Sequence, residues 1–164
     1  MEEIRPEANS QDTQERARYQ QLYFPNHNYS IINGFGHSYK DGSPSERLAR
    51  EALDDISWLP LFADNLSRLS LVGCRRIVDF EPLRHLVGLH TLDLDHTGIG
   101  DLAPLASLRR LERLYLSGTA VQDVEPLLEL AALRRLYLPP HARESPSVQR
   151  LKVHNPRVKI YFNR

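Results

Sequence analysis

The sequence predicts an α/β solenoid, a stack of short units behind an N-terminal capping region. Each unit adds one strand to a parallel sheet and a short helical or 3-10 turn to the opposite side. Three observations predict it. An apolar pattern recurs as Leu66-Ser67-Arg68-Leu69-Ser70-Leu71, Leu89-His90-Thr91-Leu92-Asp93-Leu94, Leu111-Glu112-Arg113-Leu114-Tyr115-Leu116 and Leu133-Arg134-Arg135-Leu136-Tyr137-Leu138, in steps of 23, 22 and 22 residues. That spacing suits a unit of one strand and one return segment. The second halves repeat as well: Asp79-Phe80-Glu81-Pro82-Leu83, Asp101-Leu102-Ala103-Pro104-Leu105 and Asp123-Val124-Glu125-Pro126-Leu127. Within each strand the leucines alternate with other residues, as side chains of a strand alternate between faces.

Residues 1–21 are almost wholly polar and read as a tail or a frayed helix. Residues 22–65 read as the capping region. Leu22-Tyr23-Phe24 and Tyr29-Ser30-Ile31-Ile32 are strand-like, and Asn33-Gly34 is a hairpin-turn dipeptide after which Phe35 to Tyr39 can return. Ser43-Pro44-Ser45-Glu46 combines a cap, a first-turn proline and the acid of a capping box, with Leu48, Ala52 and Ile56 following on one helix face. Trp58-Leu59-Pro60-Leu61-Phe62 resembles a degenerate return segment. A solenoid has an open apolar end at its first unit, which this region is expected to cover.

Residues 66–164 hold the repeats and their closure. Leu69 and Leu71, with Leu92 and Leu94, Leu114 and Leu116, and Leu136 and Leu138, are expected to point inward. After each strand the chain bends at Cys74, Thr97, Thr119 and His141. Ile77, Ile99 and Val121 then re-enter the core, and Asp79, Asp101 and Asp123 can cap the outer turns, where proline is tolerated in the first turn. Leu83 and Leu86, Leu105 and Leu108, and Leu127 and Leu130 complete the lining. Pro139-Pro140 interrupts the fourth unit. Ser145-Pro146-Ser147 can start a helix through Leu151, and Val158 to Phe162 alternates like a final strand. The lysine and polar end of that strand would discourage further pairing.

Composition narrows the function. Lys plus Arg equals Asp plus Glu at 21 each, and a general nucleic-acid binder carries a basic excess. One cysteine, Cys74, excludes an internal disulfide framework. The polar start lacks the apolar core of a secretory signal, and no apolar run approaches the ~20 residues that span a bilayer. The expectation is a soluble, cytoplasmic protein with no membrane or nucleic-acid partner.

The repeats resemble the short, 22-residue class of leucine-rich repeat found in phosphatase regulatory subunits and bacterial internalins. The Asp-x-x-Pro-Leu-x-x-Leu return is especially similar to the bacterial versions, and the resemblance spans about residues 55–164. It implies a curved solenoid that binds another macromolecule on a concave parallel sheet. Threonine stands where this class usually has asparagine.

The outward strand positions then form rows. The first is Arg68, Thr91, Arg113 and Arg135. The second is Ser70, Asp93, Tyr115 and Tyr137. The third is Val72, Asp95, Ser117 and Pro139, with His96 beside it. Rows run at ~4.8 Å spacing, so neighbours touch. Two tyrosines side by side on a water-facing surface, flanked by arginines and with an acidic pair one strand away, match interface anatomy and hot-spot chemistry. The candidate partner-binding residues are therefore Arg68, Asp93, Asp95, His96, Arg113, Tyr115, Arg135 and Tyr137. The competing reading is a solvated face whose tyrosines only stabilise adjacent strands.

Catalytic readings are weaker. Asp93, Asp95 and His96 mix ligand types suited to metals, but an open sheet encloses them poorly. Cys74 sits at a buried turn position, where thiols are inert. No phosphate-cradling glycine loop is present. The sequence thus predicts no enzyme, cofactor or metal. It predicts a non-catalytic solenoid, monomeric when free, that holds a protein on its concave face. The sharpest expectation is an immunity protein or inhibitor of a bacterial toxin, and the alternative is a scaffold or regulatory subunit of a signalling enzyme.

Overall fold

Each copy of the six-residue pattern forms a short strand, and a fifth strand follows from the C-terminal segment. The computed structural model describes residues 53–64 and 66–163. The tail, the expected hairpin and the start of the expected helix at Ser43 lie outside them. The strands are β1 (Arg68–Ser70), β2 (Thr91–Asp93), β3 (Arg113–Tyr115), β4 (Arg135–Leu138) and β5 (Lys159–Phe162). They pair in parallel in sequence order, and the register matches equivalent repeat positions, Leu69 with Leu92, Leu92 with Leu114, Leu114 with Leu136 and Leu136 with Ile160. The ladder runs on past the strands, with Leu71 N–H donating to the Asp93 carbonyl at 2.8 Å, Leu94 to Tyr115 at 3.0 Å and Leu116 to Tyr137 at 2.9 Å.

The inward leucines of every unit are buried, together with Ile77, Ile99 and Val121 after the bend. One core column was not foreseen. Phe80, Leu102 and Val124, which follow the capping aspartates, are buried too.

Opposite the sheet, the returns are 3-10 turns at Glu81–His85, Ala103–Leu105 and Glu125–Leu127. The aspartates expected to cap these turns do bond to them, but from one position before the capping residues Phe80, Leu102 and Val124. Asp79, Asp101 and Asp123 each accept, at 2.9 Å, the N–H of the residue two positions on, Glu81, Ala103 and Glu125. The carboxylate reaches the first amide of the turn, an otherwise orphaned donor. The chain bends through a left-handed residue at Gly73, His96 and Gly118. The threonine hydroxyls close the bend locally, with Thr97 Oγ1 donating to the Leu94 carbonyl at 2.8 Å and Thr119 Oγ1 to the Leu116 carbonyl at 2.6 Å.

At both ends of the described stack further residues join the core. A 3-10 turn at Leu59–Phe62 packs against the first return, and Leu53, Ile56, Trp58, Leu59 and Phe62 join the core. Ile56, expected on a helix face, is buried in a non-helical stretch that leads into a turn. At the far end the expected helix is α1 (Pro146–His154), with Val148 and Leu151 buried. Its Ser147 hydroxyl accepts the Val124 N–H at 2.9 Å, and the following Asn155 donates to the Leu133 carbonyl at 2.9 Å.

Candidate functional site

The register aligns the outward residues as the repeat spacing requires. Arg68, Thr91, Arg113 and Arg135 stand in one row, and Ser70, Asp93, Tyr115 and Tyr137 in the next. Strand β5 extends both rows, by Lys159 beside Arg135 and by Tyr161 beside Tyr137.

The tyrosines form a stack of three. Tyr115 and Tyr137 lie 4.5 Å apart between ring centroids with planes 9° from parallel, and Tyr137 and Tyr161 lie 4.7 Å apart at 16°. Strand spacing sets the separation, and offset stacking of this kind adds about 0.5–1.5 kcal/mol per pair beyond area burial. Tyr161 was missed from the sequence. The repeat template ends at Leu138, and only the pairing of Tyr137 with Tyr161 assigns it to the row. Beside the stack, Arg113, Arg135 and Lys159 are exposed, as is Arg68 at the far side of the sheet.

The expectation that the outward rows face water fails at four positions. Thr91 is 5% exposed, Asp93 9% and Ser117 4%, and Pro139 is buried as well. Short side chains are shaded by longer neighbours, as Thr91 is between Arg68 and Arg113. Tyr115 and Tyr137 are half-buried, because each covers the other.

Burial dominates the electrostatics of Asp93. Loss of water lifts its carboxyl to about 6, from an ordinary 3.8. The Asp95 N–H bonded to it opposes the shift, the Asp95 charge adds to it, and His96 opposes it. Burial also raises the Tyr115 hydroxyl, with the neighbouring Tyr137 next in effect.

Asp95 is a structural tie as well as a candidate contact. Its Oδ1 accepts the Ser117 N–H at 2.6 Å, linking two units, while Asp93 Oδ1 accepts the Asp95 N–H at 3.1 Å. His96 is exposed, in the left-handed region at φ 58°, and its ring fills the space a side chain on Gly118 would need. Among the described residues, no group of three or more His, Cys, Asp or Glu is arranged to hold a metal ion. Cys74 is buried at its turn. Among the described residues, no helix is long and apolar enough to cross a membrane.

No protein-family model and no curated protein matches the sequence. Solved structures do. One is internalin C2 from Listeria monocytogenes, at 25% identity and a TM-score of 0.55 over 66% of this chain and 46% of that one. Another is a leucine-rich repeat protein of Leptospira interrogans, at 20% identity and a TM-score of 0.57 over 73% of this chain and 34% of that one. This chain therefore spans less than half the length of either.

Proposed function

This chain is a leucine-rich repeat solenoid, and we propose that it holds a protein partner on the outward, concave face of its sheet. The observation that carries the reading is the three-tyrosine stack. The inward leucine pattern requires none of these rings, yet they stand in register on β3, β4 and β5. Fixed, amphipathic rings lose little conformational entropy on contact, and tyrosine and arginine dominate interface hot spots. Five strands at ~4.8 Å spacing make a patch roughly 20 Å across. The finer form of the reading is an inhibitor or immunity protein acting on one cytoplasmic target, against a scaffold that engages several. Stoichiometry separates these.

Photo-crosslinking in the native cell tests the proposal. A benzophenone side chain replaces Arg135 on the sheet or Arg109 on the outer return, both exposed. One protein captured at an equimolar ratio from Arg135 and not from Arg109 is the expected result. Capture from Arg109 alone moves the partner to the convex side and overturns the proposal. Several partners from Arg135 replace the inhibitor with a scaffold.

A further inference from the structure

The outward face divides its chemistry by row. Arg113, Arg135 and Lys159 align across β3, β4 and β5 and are all exposed. None is within 4.0 Å of a carboxylate among the described residues, where the ion pairs are those of Arg76, Arg84 and Arg150. Tyr115, Tyr137 and Tyr161 align two residues further along the same strands, roughly 7 Å away at strand rise. The middle ring has both faces covered, by neighbours at 4.5 and 4.7 Å. What the stack can offer a ligand above that ring is therefore its edge and its hydroxyl. Ring edges carry the positive part of the aromatic quadrupole, and phenol hydroxyls donate. A row of cations thus runs beside the edge and hydroxyl of Tyr137.

We propose that the partner element seated here is an acidic segment of a protein, its carboxylates on Arg113, Arg135 and Lys159 and its carbonyls and apolar groups on the tyrosine edges. This rests on the reading that the face binds a protein. Two observations favour an acidic protein over a nucleic acid. Single strands bind by stacking bases on open ring faces, and the middle ring has none. The patch also ends at β2, where buried Asp93 takes the place of a tyrosine and half-buried Asp95 follows it in the next row, and the two would oppose a continuing polyanion. The balanced charge of the whole chain agrees.

Fluorescence anisotropy on the full chain tests the proposal with labelled peptides alternating leucine with glutamate, glutamine or lysine, and with oligo(dT). The glutamate peptide is expected to bind tightest and to weaken with salt. The Arg113→Glu, Arg135→Glu double variant should weaken it by about tenfold or more, as lost charge complementarity does, and Arg109→Glu with Arg110→Glu should leave it unchanged. Melting curves check folding. Lys159→Glu alone, at the sheet edge, should weaken the glutamate peptide severalfold even if the double variant unfolds. A glutamine or lysine peptide that binds tightest and is weakened by Tyr137→Ala overturns the acidic chemistry and leaves the face standing. Binding sensitive only to Arg109 and Arg110 overturns both. Tighter binding of oligo(dT), or no binding by any probe, overturns the acidic segment.

Discussion

His96 adopts, with an imidazole attached, the left-handed conformation that Gly73 and Gly118 adopt without a side chain. A side chain there costs roughly 1–2 kcal/mol. The ring lies where a Cβ on Gly118 would be, whereas nothing is within 4 Å of a Cβ on Gly73. The two glycines therefore share a conformational penalty and differ in a clash. Urea unfolding should show Gly118→Ala losing about 1 kcal/mol more than Gly73→Ala, and His96→Gly should remove that excess. Equal losses would contradict the ring position. Asp93 gives a pH-dependent prediction. Its folded carboxyl is raised to about 6, so the folded state holds the proton more tightly than the unfolded chain. The stability this adds is fully present below the ordinary value of 3.8 and is lost as pH rises through about 6. With solvent screening, the difference is about 1–2 kcal/mol. Asp93→Asn keeps the acceptor for the Asp95 N–H. It should be more stable than the wild type near pH 8 by about that amount and indistinguishable near pH 4. Equal stability at both pH values would mean that Asp93 is better solvated than its burial implies.

At the scale of elements, legibility followed the repeats. The strands, their inward leucines and the caps at Asp79, Asp101 and Asp123 could be read because one template recurs in register. The column Phe80, Leu102 and Val124 was missed because three different apolar types fill it and it sits among capping and proline residues. Strand β5 was read as a strand, but its sequence lacks the leucine template. Tyr161 and Lys159 therefore could not be assigned to rows without the parallel pairing to β4. The solvent-facing expectation failed at Thr91, Asp93 and Ser117, since alternation tells which face a residue is on and not how tall its neighbours are. The segment after α1 is tied to the preceding unit by buried polar links that the repeat template does not contain. Asn155 donates to the Leu133 carbonyl at 2.9 Å and more weakly to that of Leu130 at 3.5 Å. Asn155→Ala removes both bonds, while Arg134 Nη1 at 3.3 Å still donates to the Leu133 carbonyl and the Leu133 N–H at 2.9 Å to that of Leu130, so it should cost about 0.5–1.5 kcal/mol in denaturant unfolding. Asp101→Ala, which removes one exposed cap, should cost about 1 kcal/mol. No measurable loss in Asn155→Ala would show that this link contributes nothing to holding the C-terminal segment on the stack.

The whole molecule is a row of units that each bury their apolar side against the next, so its ends decide whether it folds. Trp58 and Phe62 pack edge to face at 5.9 Å, and with Leu53, Ile56 and Leu59 they join the core. Each such side chain is worth about 1.5–3 kcal/mol when buried. A 66–164 fragment should accordingly aggregate or bind a hydrophobic dye, and a soluble, cooperatively melting fragment would contradict the capping role. The repeat period made the architecture legible, and the balanced charge argued against a general nucleic-acid binder; neither names a partner, because recognition lies in side chains that the leucine pattern leaves unconstrained. The most direct measurement is titration calorimetry of the crosslinked partner, once purified, against wild type, Tyr137→Ala and Arg109→Glu, with melting curves on the same samples. Tyr137 stacks on both sides, so its loss should lower stability by about 1–3 kcal/mol. It should also weaken binding by at least about 2 kcal/mol, roughly thirtyfold, while Arg109→Glu binds as the wild type does. Unchanged affinity in a folded Tyr137→Ala, with affinity lost in Arg109→Glu, would place the partner on the outer returns and contradict the account.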